Sequence, residues 1–343
     1  MTAETIAKAL GGHRAGATWM ARCPAHDDSS PSLAISTGSN GKVLVRCHAG
    51  CDQRDVIAAV APRYPGLRIA QAIELSYLQH FNWFPADERP RDLPPQRGMS
   101  NTKYHAWLVQ QAQATGPVSF NHPFGATRGP LLTGAARTAA IAQVAANCLG
   151  HGLYGASYLE VGYAVRGHID LDGHLTLWDI LLAAGIAVYA NGVSDNHNGT
   201  LSSWQRDGNR FVTDIIADAA APSIAVPALT KGRAFVSSLG QYSGMLDLAC
   251  GAAVMGGVAG ASGSPTVTVT ATDVPAGGKV RLLQYAVHGD RHVTTVRAPL
   301  TDVAWPGSGT RTVSVRGAAS YVRAEVRDGR GKVVAFSNPL WLR

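Results

Sequence analysis

The stretch "RCPAHDDSSPSLAI", residues 22–35, holds Cys23 and His26 with two residues between them, ahead of a turn and a short strand-like run. A second pair, Cys47 and Cys51, follows in "GKVLVRCHAGC" (41–51), which completes the pattern Cys-x2-His, twenty residues, Cys-x3-Cys. Structural Zn²⁺ prefers four thiolate and imidazole ligands in a tetrahedron. We therefore predict that these four side chains bind one structural Zn²⁺; the alternative is a chance spacing.

The cysteine content of the chain favours a metal site. The 343 residues include five cysteines, three of them within the first 51 residues. An odd number grouped in this way argues against a disulfide framework and indicates a reducing compartment. The N-terminal "MTAETIAKALGGHR" lacks the apolar run of a secretory signal, and the apolar stretch 246–261 is too short to span a bilayer, so we expect a cytoplasmic protein without a membrane partner. A piece of about 60 residues builds a small core, so bound metal should supply much of its folding free energy.

These N-terminal segments resemble the zinc-binding domain of bacterial and phage DNA primases. The resemblance covers residues 1–60 and lies in the Cys-Pro-x-His turn, the Pro-Ser before a strand and the second cysteine pair after a hairpin. The Cys-x3-Cys spacing departs from the Cys-x2-Cys of the best-known primases. The resemblance implies binding of single-stranded nucleic acid without primer synthesis. The residues that could supply stacking and phosphate contacts are Trp19, Arg22, Lys42, Arg46 and Arg54.

Three segments of the middle region have an apolar run next to a polar cluster. They are "AIELSYLQHFNWFP" (72–85), "GPVSFNHPFGA" (116–126) and "GIAVYANGVSDNHNG" (185–199). This pattern is typical of an α/β barrel, whose buried strands carry reactive residues at their carboxyl ends. Asp195 and His197 are two residues apart, which in extended backbone points both side chains to one face and suits a divalent metal. Helical patterns are predicted between these segments, at 103–114, 138–149 and 177–185.

The same segments resemble the PHP superfamily, which is named for polymerase and histidinol phosphatase. The resemblance runs from about residue 64 to the end of the chain, closest to metal-dependent phosphoesterase-like proteins with a C-terminal β domain. It implies a site for Zn²⁺, Mn²⁺ or Fe²⁺ and hydrolysis of a phosphorylated substrate. The ligands that it implies are Glu74, His80, His122, Asp195 and His197. Glu160 in "YLEVGYAVRG" (158–167) has two interpretations, a strand-end residue near the metals or a carboxylate paired with Arg166 or the backbone.

The resemblance to the PHP superfamily has one departure. Its members begin with a His-x-His and an Asp-His motif, and neither occurs here before Glu74. The sequence therefore predicts a barrel without its first two strands and an incomplete metal site, and it leaves open whether that site is catalytic. A natural recombination and a misjoined reading frame both fit the junction near "VAPRYPG" (60–66). The alternative function is a non-catalytic zinc protein that binds single-stranded DNA.

The C-terminal region changes to a period of two. Runs such as "TVTVTATDV" (266–274) and "YVRAEVRD" (321–328) alternate apolar with polar residues and are separated by Gly-rich turns, which predicts an antiparallel β-sandwich of Ig-like size. The predicted fold class is multi-domain α/β plus β. The predicted domains are a zinc module at 1–60, a truncated PHP-like domain at 61–258 and a β-sandwich at 259–343. The formal charge of +7 is compatible with phosphate or nucleic-acid partners.

Overall fold

The computed structural model shows a mixed α/β protein in which sheets outnumber helices. It describes residues 3–16, 18–37, 43–52, 55–56, 59, 73–76, 79–84, 98–127, 129–193, 210–217 and 222–343. The chain divides into two compact units, Met1–Ala70 and Gln71–Arg343. Within the described ranges, no helix has both the length and the apolar character that a membrane crossing requires.

The first unit is one helix packed on a four-stranded antiparallel sheet. Its elements are α1 (Ala3–Ala9), β1 (His13–Ala15), β2 (Thr18–Ala21), β3 (Leu33–Thr37) and β4 (Val43–Cys47), with the strands in the order β1-β2-β3-β4. Ile6 of the helix meets Leu33 and Ile35 of the central strand in a small core. Gly12 links helix to sheet at a close approach, because a Cβ there would lie 2.5 Å from the carbonyl oxygen of Met20. A core of this size leaves a large part of the stabilisation to other sources, such as a bound metal.

The second unit begins with a half-barrel, a five-stranded sheet in the order β11-β8-β7-β6-β5. Its strands are β5 (Ile73–Ser76), β6 (His80–Trp83), β7 (Val118–Phe120), β8 (Tyr158–Gly162) and β11 (Tyr189–Gly192), while a short hairpin of β9 (Val165–Arg166) and β10 (Ile169–Asp170) follows β8. β7, β8 and β11 are parallel, as the barrel pattern predicts, but β6 runs antiparallel to β7 and β5 antiparallel to β6. Hydrophobic pattern reports burial and not strand direction, so the sequence analysis could not separate these two cases.

Helices cover the half-barrel at the places that the sequence predicts. They are α2 (Asn101–Gln113), α3 (Gly134–His151), which continues into a 3₁₀ turn (Gly152–Gly155), and α4 (Leu171–Ala183). α4 begins earlier than predicted because the Asp170 side chain caps it, accepting a hydrogen bond from the backbone N–H of Gly173 at 2.9 Å. Large apolar side chains such as Phe81, Leu159 and Trp178 fill the space between sheet and helices.

Two further sheets form a β-sandwich around a second core. One has the order β12-β13-β22-β21-β18-β19, with β23 paired to β21 and β16 to β23, and the other has the order β15-β14-β17-β20. The strands are β12 (Phe211–Ile215), β13 (Ala234–Ser238), β14 (Leu246–Cys250), β15 (Ala253–Val254), β16 (Val258–Ala259), β17 (Thr266–Ala271), β18 (Lys279–Ala286), β19 (Thr301–Pro306), β20 (Gly309–Ser314), β21 (Ser320–Arg327), β22 (Val333–Ser337) and β23 (Leu340–Leu342), and α5 (Pro222–Thr230) lies between β12 and β13. Leu246, Val269 and Leu282 are among the residues that meet in the core.

The sandwich takes in strands that precede the expected boundary at residue 259. β12, β13 and β14 all belong to its sheets. All five residues of β13 are buried, so this strand lacks the polar–apolar alternation by which the later strands were recognised. β22 is buried along its whole length in the same way. These strands are buried on both faces because one side of their sheet faces the sandwich core and the other the core beneath the half-barrel.

Candidate metal centre

The four side chains of the Cys-His-Cys-Cys pattern converge in the first unit. One ligand atom from each of Cys23, His26, Cys47 and Cys51 lies within 4.8 Å of all the others. His26 Nδ1 is 3.1 Å from Cys51 Sγ and 4.0 Å from Cys47 Sγ. A tetrahedral Zn²⁺ at about 2.3 Å from each sulfur sets neighbouring sulfurs about 3.8 Å apart. Three thiols and one imidazole at these separations fit a zinc ion.

The strands of the sheet bring the two halves of the cluster together. Leu33 of β3 pairs with Ala21 on one side and with Cys47 on the other, so the turn after β2 and the end of β4 lie at the same edge. Gly50 in the second turn has a φ of 92°, a left-handed conformation that favours glycine, and it leads the chain to Cys51. The strand β4 (Val43–Cys47) ends at Cys47 and so delivers the second cysteine pair to this edge.

Asp28 is part of this centre, and the sequence analysis missed it. Its Oδ2 accepts hydrogen bonds from the backbone N–H of Cys23 at 2.6 Å and from Ser32 through the hydroxyl at 2.6 Å and the backbone N–H at 3.2 Å. Its Oδ1 lies 3.6 Å from His26 Nε2. A carboxylate beside the second nitrogen of a metal-binding histidine fixes the ring orientation. The Cys23 N–H and the Ser32 hydroxyl lower the pKa of Asp28 to about 2, so it stays ionised.

The thiols of the cluster differ in their acidity. Burial raises the pKa of Cys23 to about 12. Burial acts in the same direction on Cys47, but hydrogen bonds from the backbone N–H groups of Cys51 and Ala49 oppose it, and the pKa of Cys47 is lowered. Zn²⁺ binds thiolates, so its uptake must release protons from this centre. Of the three thiols in the cluster, Cys47 is therefore the one that loses its proton most readily.

Two of the residues proposed for nucleic-acid contacts, Trp19 and Arg46, lie on opposite faces of the four-stranded sheet. Trp19 pairs with Ile35 and packs against the small core, with Lys8 Nζ 5.9 Å from the centre of its ring. Arg46 pairs with Ala34, one residue out of step with Ile35, and so projects from the opposite face. Arg22 is exposed after β2. Lys42 and Arg54 lie outside the described residues.

Two of the histidines expected at the half-barrel site meet. The ring centres of His80 and His122 are 4.9 Å apart in an edge-to-face arrangement. His122 follows β7, whereas His80 opens β6; because the two strands are antiparallel, both residues lie at the same edge of the sheet. The backbone N–H of Asn121 donates to the carbonyl oxygen of His80 at 3.0 Å and fixes this approach.

The other three expected ligands are described only in part or not at all. The backbone of Glu74 lies in β5 opposite Asn82, and its side chain is outside what the structure describes. Asp195 and His197 lie outside the described residues. Across the described part of the chain, the Cys-His-Cys-Cys cluster is the one place where three or more potential metal-binding side chains converge. The imidazoles of His80 and His122 suit a divalent ion, but among the described residues they form a group of two and not of three.

Glu160 lies beside this histidine pair. Its carboxylate is buried and accepts hydrogen bonds from the backbone N–H of His122 at 2.7 Å, from Asn82 Nδ2 at 3.1 Å and from the hydroxyl of Tyr163. The second interpretation of Glu160 included a bond to the backbone, and the structure contains one, from the backbone N–H of His122. The sheet edge that carries the two histidines therefore also holds a buried carboxyl group, bonded to the backbone of His122.

Comparison with known proteins adds no relative: no protein-family model, no curated protein and no solved structure matches this chain. The resemblances to primases and to the PHP superfamily thus depend on the quoted motifs alone. The Cys-His-Cys-Cys cluster does not depend on these resemblances, since the fold itself brings its four side chains together.

Proposed function

We propose that this chain is a zinc protein that binds one structural Zn²⁺ through Cys23, His26, Cys47 and Cys51. The observation that carries the proposal is the convergence of their ligand atoms to within 4.8 Å of one another. Four protein ligands close a tetrahedral site and leave no position for a substrate, which is typical of structural zinc and not of catalytic zinc.

Elemental analysis of the full chain tests this proposal. The wild-type protein should carry one tightly held zinc, and Cys47→Ser should lose it. Cys148→Ser is the matched control, since Cys148 is a buried thiol in α3 of the second unit and is not a member of the cluster, and its loss should leave the zinc content unchanged. Zinc retained by Cys47→Ser, or absent from wild-type protein reconstituted with zinc, would contradict the assignment.

We further propose that the second unit is a metal-dependent phosphoesterase with a reduced ligand set. The approach of the His80 and His122 rings at the edge of the half-barrel favours this function. The residues that would hold the metal are Glu74, His80, His122, Asp195 and His197. When bound, a divalent metal polarises a phosphoryl oxygen and supplies hydroxide near neutral pH. The chain's own contribution is to hold the two imidazoles at one edge, with Asn121 tying His80 to the strand of His122.

Hydrolysis of a generic phosphomonoester and phosphodiester, with added Mn²⁺ or Zn²⁺, tests this second function. His122→Ala should reduce the rate by about ten- to a hundredfold, the range typical of a metal site that loses a supporting group. The control is His288→Ala, because His288 lies in a loop of the sandwich. Equal activity of wild type and the Asp195→Ala/His197→Ala double variant would dismiss the function.

The alternative function, binding of single-stranded nucleic acid by the zinc unit, has one supporting observation. Exposed Arg46 shares a sheet face with the half-exposed side chains of Met20, Ala34 and Leu44, so a cation that could contact a phosphate lies beside an apolar surface. Arg46→Glu in the full chain should weaken binding of a labelled oligonucleotide about tenfold and flatten its salt dependence. Arg311→Glu, on the edge strand β20, is the control. Unchanged binding in Arg46→Glu would remove this alternative.

A further inference from the structure

We propose that Glu160 is the positioning residue of the half-barrel site: its carboxylate holds His122 in place for a metal and does not itself bind the metal. This inference rests on the proposed metal-dependent function of the second unit. It concerns a buried side chain that accepts a hydrogen bond from the backbone N–H of His122, one of the two histidines of the pair.

The hydrogen bonds of Glu160 engage both of its oxygens. Oε2 accepts from the backbone N–H of His122 and from the Tyr163 hydroxyl, and Oε1 accepts from Asn82 Nδ2. The residue is 1% exposed, so these bonds replace the hydrogen bonds to water that the carboxyl group loses on burial. Because Oε2 accepts two hydrogen bonds, both of its lone-pair directions are in use, which disfavours this oxygen as a metal ligand.

The backbone of His122 needs the support that Glu160 gives. Its φ is 28°, in the left-handed region that residues with a Cβ rarely adopt. Such a conformation persists where the surroundings hold it, and it is concentrated at functional sites. A hydrogen bond of 2.7 Å from its N–H to Glu160 Oε2 supplies one constraint, and the N–H of Gly125 donating to the His122 carbonyl at 2.7 Å supplies another. Together they direct the imidazole toward His80.

Glu160 also reaches the strand of the second histidine. Asn82, which donates to Oε1, lies in β6 two residues after His80. The backbone N–H of Asn82 donates in turn to Asn121 Oδ1 at 3.1 Å, next to His122. A single buried carboxylate therefore connects the backbone segments that carry both imidazoles, and this connection sets the distance between the rings.

The test uses the full chain with its N-terminal centre loaded with zinc. In Glu160→Gln, the side-chain amide turns an N–H₂ group toward one of the donors, so one side of the network is lost. We expect amide exchange of the segment 120–126 to accelerate about tenfold, and the affinity for a second metal, titrated as Co²⁺, to fall about tenfold. Glu160→Asp should recover part of both effects. Tyr163→Phe, which removes one donor and leaves the bond to His122, should show a smaller effect on each.

The two measurements separate the possible outcomes. Glu325→Gln, a buried carboxylate in the sandwich, is the control for a general loss of stability and should change neither measurement. If segment 120–126 exchanges its amides at the wild-type rate in Glu160→Gln, the proposal is overturned. If that variant has also lost the second Co²⁺, Glu160 is a metal ligand. If the wild type takes up no second Co²⁺, the phosphoesterase proposal fails, and faster exchange in Glu160→Gln still assigns to Glu160 the support of His122.

Discussion

At the scale of single residues, Asp28 joins two members of the Cys-His-Cys-Cys cluster through one carboxylate. One of its oxygens holds the backbone of Cys23 and the other faces His26 Nε2. Neither contact could be predicted from "HDDSS", because two adjacent aspartates in a turn look alike in sequence and only the folded turn directs one of them inward. The spacing was sufficient to predict that the four cysteine and histidine side chains converge, since zinc chemistry constrains residue type and separation together.

The first prediction concerns this aspartate. Asp28→Asn should weaken zinc binding by about ten- to a hundredfold, the usual effect of losing a group that orients a metal-binding histidine. Asp27→Asn is the matched control, because Asp27 is the adjacent exposed aspartate. Competition with a chromogenic chelator measures both affinities. Equal affinities in the two variants would show that Asp28 does not orient His26.

A second prediction at this scale concerns His105 in α2. Its ring is buried, with its centre 4.7 Å from those of Phe81 and Tyr154, and burial lowers its pKa to about 4. In the unfolded chain the pKa of a histidine is about 6.5, so between these values the unfolded state binds more protons and stability falls as pH falls. His105 should therefore cost about 1 kcal/mol of unfolding free energy between pH 7.5 and pH 5.5.

Denaturant unfolding at the two pH values measures this loss. His105→Phe retains an aromatic ring without a titrating group and should reduce the pH dependence by about that amount. An identical pH dependence in wild type and variant would mean that His105 is already protonated in the folded protein, or that other groups determine the change.

At the scale of elements, a buried ionic network fastens α4 to the sandwich. Arg323 of β21 donates two hydrogen bonds to Asp179 of α4, at 2.9 and 2.7 Å, and a third to Glu325 at 2.6 Å. The Tyr321 hydroxyl also donates to Asp179, at 2.9 Å. The sequence predicted α4 as a helix and β21 as an alternating strand, but it could not predict that β21 is buried on both faces, because this follows from the packing of α4 against it.

Removal of one partner from this network should therefore be costly. Asp179→Ala leaves Arg323 buried without its main counterion and should lower the unfolding free energy by about 3–5 kcal/mol. The control is Asp302→Ala, which breaks the more exposed pair with Arg281 and should cost less than about 1 kcal/mol. Urea unfolding followed by circular dichroism compares the two. Similar losses would show that burial does not determine the strength of these pairs.

The strand directions in the half-barrel mark the limit of the sequence at this scale. Alternating and continuous apolar runs located β6, β7, β8 and β11, and two of the polar residues beside them, His80 and His122, lie at one edge of the sheet. The reason differs from the one predicted, since His80 opens an antiparallel strand instead of closing a parallel one. Glu160 was left ambiguous because its role depends on the backbone conformation of His122, which no residue pattern reports.

At the scale of the whole molecule, the two compact units have different sources of stability. The second contains two large apolar cores, whereas the core of the first is small and includes two members of the Cys-His-Cys-Cys cluster, Cys23 and Cys47. Metal that binds the folded state stabilises it in proportion to the logarithm of the metal concentration over its dissociation constant. Removal of zinc should consequently unfold Met1–Ala70 and leave Gln71–Arg343 folded.

Chelation followed by limited proteolysis tests this separation. With zinc bound, residues 3–52 should resist a protease at low dose. After treatment with a strong chelator, cleavage within this segment should accelerate at least about tenfold, since structural zinc contributes folding free energy directly. Cleavage within 222–343 serves as the internal control and should keep its rate. Chelation that accelerates cleavage in both regions equally would mean that the zinc supports the whole chain, and chelation without effect on either would mean that the small core of the first unit is stable without metal.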